Sequence, residues 1–240
     1  SWAINKSNDY FFCDVQPNIQ IWDLVLDGGY LLRVVDWLKG STYEDKINTY
    51  QSFVKRLGNN VIIVFDGYLT NNTKDQTHQK RYLMQSLRIN ISLLMKNDCN
   101  KGLFLSNCEN KQQFINMLGE SLLLAGHRVI FHDNDADVAI VDQDLALHDD
   151  DKDVRVICDD TDVFIVLLSR LRLSASTQTS VYLLQPKSKR TLNMTTLNSI
   201  LPKEVEDSLL VIHAMTGCDR TLFLFGIGKS KLYKKRTNQK

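Results

Sequence analysis

The chain has no C-x-x-C pair, no apolar run near the length of a membrane span and almost no charge imbalance, and each absence removes a class of protein. Its five cysteines, Cys13, Cys99, Cys108, Cys158 and Cys218, are odd in number and lack zinc-ligand spacing. That argues against a disulfide framework and a zinc site, and for a reducing compartment. No stretch approaches the ~20 apolar residues of a spanning helix, and no signal peptide is visible, so no membrane partner is expected. A net charge of +1 leaves neither a basic arm nor an acidic tail. Any nucleic-acid affinity would have to come from local patches. His78, His127, His132, His148 and His213 show neither metal nor triad spacing and read as structural. There is no internal repeat or low-complexity tract, and "HDDDKD" (148–153) reads as a solvated loop. The chain opens on Ser and closes on "KKRTNQK", so further residues are expected at both ends and the C-terminal region reads as truncated.

What is present is a globular composition, 43% hydrophobic and 24% charged over 240 residues, enough for one large domain or two small ones. Short apolar runs recur, each followed by acid or glycine: "IWDLVLDGG", "NNVIIVFDG", "GHRVIFHDND" and "DVRVICDDTD", with "TSVYLLQP" as a fifth lacking the acid. Their length and β-branched content predict buried strands of a mainly parallel sheet. Between them, Tyr43, Ile47, Tyr50, Val54 and Leu57 share one helical face, with Ser41 or Thr42 as N-cap and Gly58 as the stop. A second helix carries Phe114, Met117, Leu118, Ser121 and Leu122 and stops at Gly126. The alternation predicts an α/β fold with right-handed crossovers. The interval from Tyr68 to about Gln113 has no strand signal and reads as a helical insertion or lid.

In a parallel sheet the ligand site lies beyond the C-terminal ends of the strands. Asp27 and Asp66 follow the first two runs, Asp135 and Asp137 the third, and Asp160 and Asp162 the fourth. Carboxylates gathered there repel one another, and divalent cations relieve the repulsion. Oxygen-only ligands select Mg²⁺ or Mn²⁺, and two such ions about 4 Å apart form the clamp used for in-line phosphodiester cleavage. A lone aspartate after a strand is more often the N-cap of the next helix, which accounts for Asp27 or Asp160 singly but not for the pairs. "DNDADVAIVDQD" fails as a calcium loop, with Val138 where glycine is needed and Asp144 where glutamate is. "VIIVFDGYLTN" fails as a haloacid-dehalogenase phosphatase, because the nucleophile position holds Val64. Near the end, "MTGCDRTLFLFGIGKSK" sets Asp219 seven residues before Gly226, which opens a Gly-Ile-Gly turn followed by lysines. A carboxylate and a phosphate-attracting turn belong together only if a metal ion lies between them.

The ordered set "LDGG", "VFDG", "NDADVAIV", "CDDTDVFIV" and "TGCDRTLFLFGIGKSK" resembles the flap endonuclease and XPG-type nuclease family, of PIN-like fold, over about residues 22–235. The most specific part is the metal-binding aspartate seven residues before the Gly-Ile-Gly of a helix-two-turn-helix. The resemblance implies one nuclease domain over 1–240, a helical insertion or arch at 68–126, and a helix-two-turn-helix start at 208–240. It implies Asp27, Asp66, Asp135, Asp137, Asp160, Asp162 and Asp219 as metal ligands, Asp135 and Asp137 standing where the family has glutamates. All seven positions are acidic, which argues against an inactive relative. Lys74, Lys80 and Arg81 would steer the scissile phosphate, with Lys80 the best match, and Arg88, Lys96 and Lys101 would serve phosphates on the arch. Gly226, Ile227, Gly228, Lys229 and Lys231 would hold a duplex phosphate through backbone N–H groups and charge. The implied activity is structure-specific 5′ cleavage of DNA, flap endonuclease or 5′–3′ exonuclease in kind, with two Mg²⁺ ions or Mn²⁺ in their place. DNA with a 5′ end or flap is the implied partner, the chain a monomer, and the setting intracellular, nuclear in preference to cytoplasmic. A PIN-type ribonuclease and a non-catalytic nucleic-acid-binding scaffold are the rival readings.

Overall fold

The computed structural model describes residues 23–66, 88–96, 98–132, 136–150, 152–172 and 179–216. They fall into two compact units that divide after Ile140. In the first, β1 (Asp23–Asp27) runs parallel to β2 (Val61–Asp66), with Asp27 opposite Val64. β3 (Arg128–His132) pairs parallel on the other side of β2, with Asp66 opposite His132. The three central residues of β1 and the first five of β2 are buried, which is why both read as unbroken apolar runs rather than as alternation.

Local chemistry sets the helices of this unit. α1 (Gly28–Val34) starts directly on β1. A Cβ on Gly28 would lie 2.2 Å from a Phe65 ring carbon and 2.7 Å from the Val64 carbonyl oxygen, so only glycine lets the chain turn this close to β2. α2 (Tyr43–Leu57) begins in a capping box: Thr42 Oγ1 accepts from the Asp45 N–H at 3.1 Å, and Asp45 Oδ2 accepts from the Thr42 N–H at 2.8 Å. It ends at Gly58, whose φ of 145° suits glycine. α3 (Lys101–Ser106) leads into α4 (Cys108–Leu124), which packs on α2 and β3. Phe114, Leu118 and Leu122 of α4 are buried with Tyr43, Ile47, Tyr50 and Val54 of α2. The Trp37 ring sits 5.1 Å from Phe114 and 5.2 Å from Phe104, closing an aromatic cluster. α4 starts at Cys108, inside the interval that the sequence marks as an insertion, because Asn107 accepts from the Asn110 N–H and caps it.

α5 (Ala136–Asp149) continues without a break past the division, so its body belongs to the second unit. There β4 (Val154–Ile157) runs parallel to β5 (Val181–Gln185), with α6 (Thr161–Leu171) between them in sequence. β5 pairs antiparallel with β6 (Arg190–Asn193) through a short 3₁₀ turn, where Lys189 takes a left-handed φ of 52°. α7 (Met194–Ile200) and α8 (Lys203–Thr216) pack on α6. The first unit holds three parallel strands and the second a mixed sheet of β4, β5 and β6, each flanked by helices, the α/β class read from the sequence. The five strands read from the sequence are present, and β6 is additional. No helix among the described residues is long and apolar enough to cross a membrane.

Candidate metal centre

Asp27 is the last residue of β1 and also the N-cap of α1, its Oδ1 accepting from the Gly29 N–H at 2.7 Å. Its side chain is 14% exposed, and Arg33, one and a half turns along α1, brings Nη2 to 3.8 Å from Oδ2. Burial pushes the Asp27 carboxyl above the ordinary carboxylate range. The Gly29 N–H, Arg33 and the Tyr30 N–H pull it back, and the charge of Asp66 adds to the push. Asp66 ends β2, and its Oδ1 accepts at 3.0 Å from the N–H of Ala136, the first residue of α5. The parallel pairing of β1 and β2 thus brings two acids from distant parts of the chain within each other's field at the C-terminal strand ends.

Further acids stand at helix starts. Asp160 caps α6, with Oδ1 accepting from the Asp162 N–H at 2.9 Å, and Asp162 stands in the first turn of that helix. Asp137 stands in the first turn of α5. Asp160 is exposed, and Asp137 and Asp162 are half-buried. Like charges about 4 Å apart oppose each other by about 1 kcal/mol in water and several-fold more near a protein surface. At the start of α6, the positive end of the helix meets part of that cost for Asp160 and Asp162. A donor set of carboxylate oxygens alone fits a hard divalent cation of the Mg²⁺ or Mn²⁺ kind.

Asp135, Lys74, Lys80, Arg81, Asp219, Gly226, Ile227, Gly228, Lys229 and Lys231 lie outside the described residues. Two of the cations expected to meet phosphates are engaged elsewhere. Arg88 pairs with Glu109 at 2.8 Å, and Lys101 donates from Nζ to the carbonyls of Arg33 and Val35, closing the end of α1. Lys111, in the first turn of α4, is the residue that the sequence reading passed over. Its ammonium lies in the fields of Asp66 and Asp27, where burial pushes it below the ordinary lysine range while those carboxylates pull it back up. A signal was there: Lys111 precedes Phe114 by three residues and Leu118 by seven, which puts it on the buried stripe.

No protein-family profile matches the chain, and neither does any curated protein. Solved structures do. A 5′-exonuclease of bacteriophage T5 with divalent zinc bound superposes with a TM-score of 0.52 at 14% identity, over 90% of this chain and 74% of that one. A bacteriophage T5 flap endonuclease variant, in a pseudo-enzyme-product complex with DNA and metal ions, gives 0.51 at 13% identity over the same shares. The catalytic core of Rad2 with DNA substrate gives 0.49 at 14% identity, over 92% of this chain and 59% of that one. The chain shares the α/β fold of the two T5 structures.

Proposed function

We propose that this chain is a divalent-cation-dependent nuclease acting on DNA that carries a 5′ end or flap. The observation that carries the reading is the set of aspartates at strand ends and helix starts, Asp27 with Asp66 in one unit and Asp160 with Asp162 in the other, in a fold shared with T5 enzymes solved with metal ions and, in one case, DNA. Asp27, Asp66, Asp135, Asp137, Asp160, Asp162 and Asp219 would be the ligands of two ions, Mg²⁺ in the first place and Mn²⁺ in its stead. When bound, the ions would neutralise the phosphodiester and lower the pKa of a water molecule for in-line attack. The chain's own part is to keep these carboxylates aimed. Capping bonds to Gly29, Ala136 and Asp162 fix one oxygen of Asp27, Asp66 and Asp160. Lys80, with Lys74 and Arg81, would orient the scissile phosphate, while Gly226, Ile227, Gly228, Lys229 and Lys231 would hold the duplex backbone without reading its sequence.

The test sets labelled 5′-flap DNA beside matched single-stranded RNA, with Mg²⁺, Mn²⁺ or EDTA. Cleavage of the flap with either ion and none in EDTA is expected, with Mn²⁺ the better ion because the short Asp137 side chain suits its looser geometry. Full activity in EDTA would refute the metal chemistry. Cleavage confined to RNA would make the chain a ribonuclease, and binding without any cleavage a scaffold.

A further inference from the structure

α4 turns back into β3 within a few residues and packs on it, so helix and strand run in opposite directions. A Cβ on Gly119 of α4 would lie 2.4 Å from the Phe131 ring. Gln113, six residues earlier, therefore stands about 9 Å further along the helix, past the strand ends that carry Asp27 and Asp66. There α4 holds a stretch of irregular chain by its backbone. Asn110, 1% exposed, accepts from the Ile89 N–H at 2.8 Å. The Gln113 amide takes both sides of the same stretch: Oε1 accepts from the Ile91 N–H at 3.3 Å, and Nε2 donates to the Ile89 carbonyl at 3.1 Å. Arg88 adds an ion pair to Glu109 at 2.8 Å. Further on, the carbonyls of Leu93 and Met95 accept from the Glu44 and Tyr43 N–H groups at the start of α2. None of residues 88–96 is buried, so these bonds fix the stretch and core packing does not.

We propose that Asn110 and Gln113 are positioning residues for the nuclease reaction: their clasp on Ile89 and Ile91 is the far anchor of residues 67–87, whose near anchor is Asp66 at the end of β2. The inference rests on the function proposed above, which sets Lys74, Lys80 and Arg81 of that stretch on the scissile phosphate. A chain fixed at both ends has less freedom to lose on meeting its substrate than a chain fixed at one. Its cations are then closer to their working places before the phosphate arrives. Neither Asn110 nor Gln113 touches the phosphate in this scheme, and neither is a metal ligand. Loss of the clasp slows the step that needs the phosphate aligned and leaves the carboxylates where they are.

The experiment follows the whole chain by single-turnover cleavage of labelled 5′-flap DNA at saturating enzyme, by Mn²⁺ binding in electron paramagnetic resonance, and by hydrogen exchange read in the mass spectrometer. Gln113→Leu keeps the size of the side chain and removes both bonds, while Gln113→Glu keeps the acceptor for Ile91 and loses the donor to Ile89. Exchange in the peptide spanning 89–91 should quicken by about tenfold in Gln113→Leu, the worth of one ordinary hydrogen bond. Its cleavage rate should fall by about tenfold to a hundredfold, the scale of a misplaced reacting group, and Gln113→Glu should lie between it and wild type. Mn²⁺ affinity should match wild type in both. Unchanged exchange, or a wild-type rate despite quicker exchange, would overturn the inference while leaving the nuclease reading standing. So would a slow variant that has lost Mn²⁺ affinity in proportion, since that marks general damage to the fold. Absence of cleavage by wild type on any DNA or RNA would sink the nuclease reading and this inference with it. Glu109→Gln alters an exposed side chain and frees the Arg88 end of the clasp. If Gln113→Leu does not fold, a smaller loss of rate with quicker exchange in Glu109→Gln supports the inference, and no change in either overturns it.

Discussion

Asp144 offers a sharp test of the buried electrostatics. It lies two turns along α5 from Asp137, is 0% exposed, and neither carboxylate oxygen has a hydrogen-bond partner among the described residues. His148, one turn further on, is engaged with Thr179 Oγ1 at 2.7 Å. Burial alone pushes the Asp144 carboxyl up from 3.8 to about 8, so the folded protein holds it protonated at neutral pH. Keeping that proton at pH 7 against an unfolded value of 3.8 costs about 4 kcal/mol, at about 1.4 kcal/mol per pH unit. The sign follows from which state binds the proton. Between 3.8 and about 8 the folded chain holds it and the unfolded chain does not, so stability is greatest below the lower value and falls as pH rises to the upper one. Asp144→Asn keeps the shape and does not titrate. Its stability relative to wild type should therefore rise by about 4 kcal/mol in all from pH 5 to pH 8, while every other acid cancels in the difference. Urea unfolding followed by circular dichroism at each pH reads this directly. Two curves that stay parallel across that range would refute the assignment of a buried, unpartnered, protonated carboxyl.

Further expectations concern the proposed site and its scaffold. Asp160→Ala should lower single-turnover cleavage of a 5′ flap by about 10³ while leaving the fold intact, because a lost cap of about 1 kcal/mol is offset by relief of repulsion; near-normal turnover would place the chemistry elsewhere. Gly28→Ala should destabilise the chain by about 1–3 kcal/mol, since the Val64 carbonyl is backbone and cannot swing aside, and an unchanged melting temperature would contradict the close approach. Lys229→Ala with Lys231→Ala should weaken duplex binding and lower its salt slope by up to about two with the rate at saturation kept, whereas a collapsed rate with binding unchanged would move those lysines to the scissile phosphate.

Legibility followed the chemistry that each element exposes in its own stretch of sequence. α2 could be read end to end because the capping residue Thr42, the apolar stripe and Gly58 all lie within the segment. The start of α4 could not, since Asn107 caps it from within a run of polar residues that reads equally well as loop. β6 has four residues and follows a tight turn, too short for any periodicity to declare itself. Asp27, Asp66 and Asp160 stood out because acids recur at the ends of separate apolar runs, a pattern that capping explains one residue at a time but not as a set. Lys101 misled because only the folded backbone brings the carbonyls of Arg33 and Val35 to it. Lys111 was hidden for the complementary reason: amid "NKQQ" a lysine looks solvated, and its neighbours Asp27 and Asp66 arrive from the far side of the sheet pairing. Asp144 entered the sequence reading only as a poor calcium-loop residue, because burial of a whole helix face is a property of packing.

An aspartate at the end of a strand can be taken as a helix cap or as a metal ligand, and the geometry removes the opposition between the two. Asp27 gives Oδ1 to the Gly29 N–H while Oδ2 faces Arg33. Asp160 Oδ1 accepts from the Asp162 N–H, which leaves Oδ2 for a ligand. A capping bond fixes the side-chain rotamer, and the helix end it sits on carries about half a positive charge. Both effects hold the side chain in one direction. A carboxylate left free would lose rotamer freedom on taking up any ligand, whereas a capped one has lost it already. That cost falls on a helix start that needs an acceptor for its N–H groups in any case.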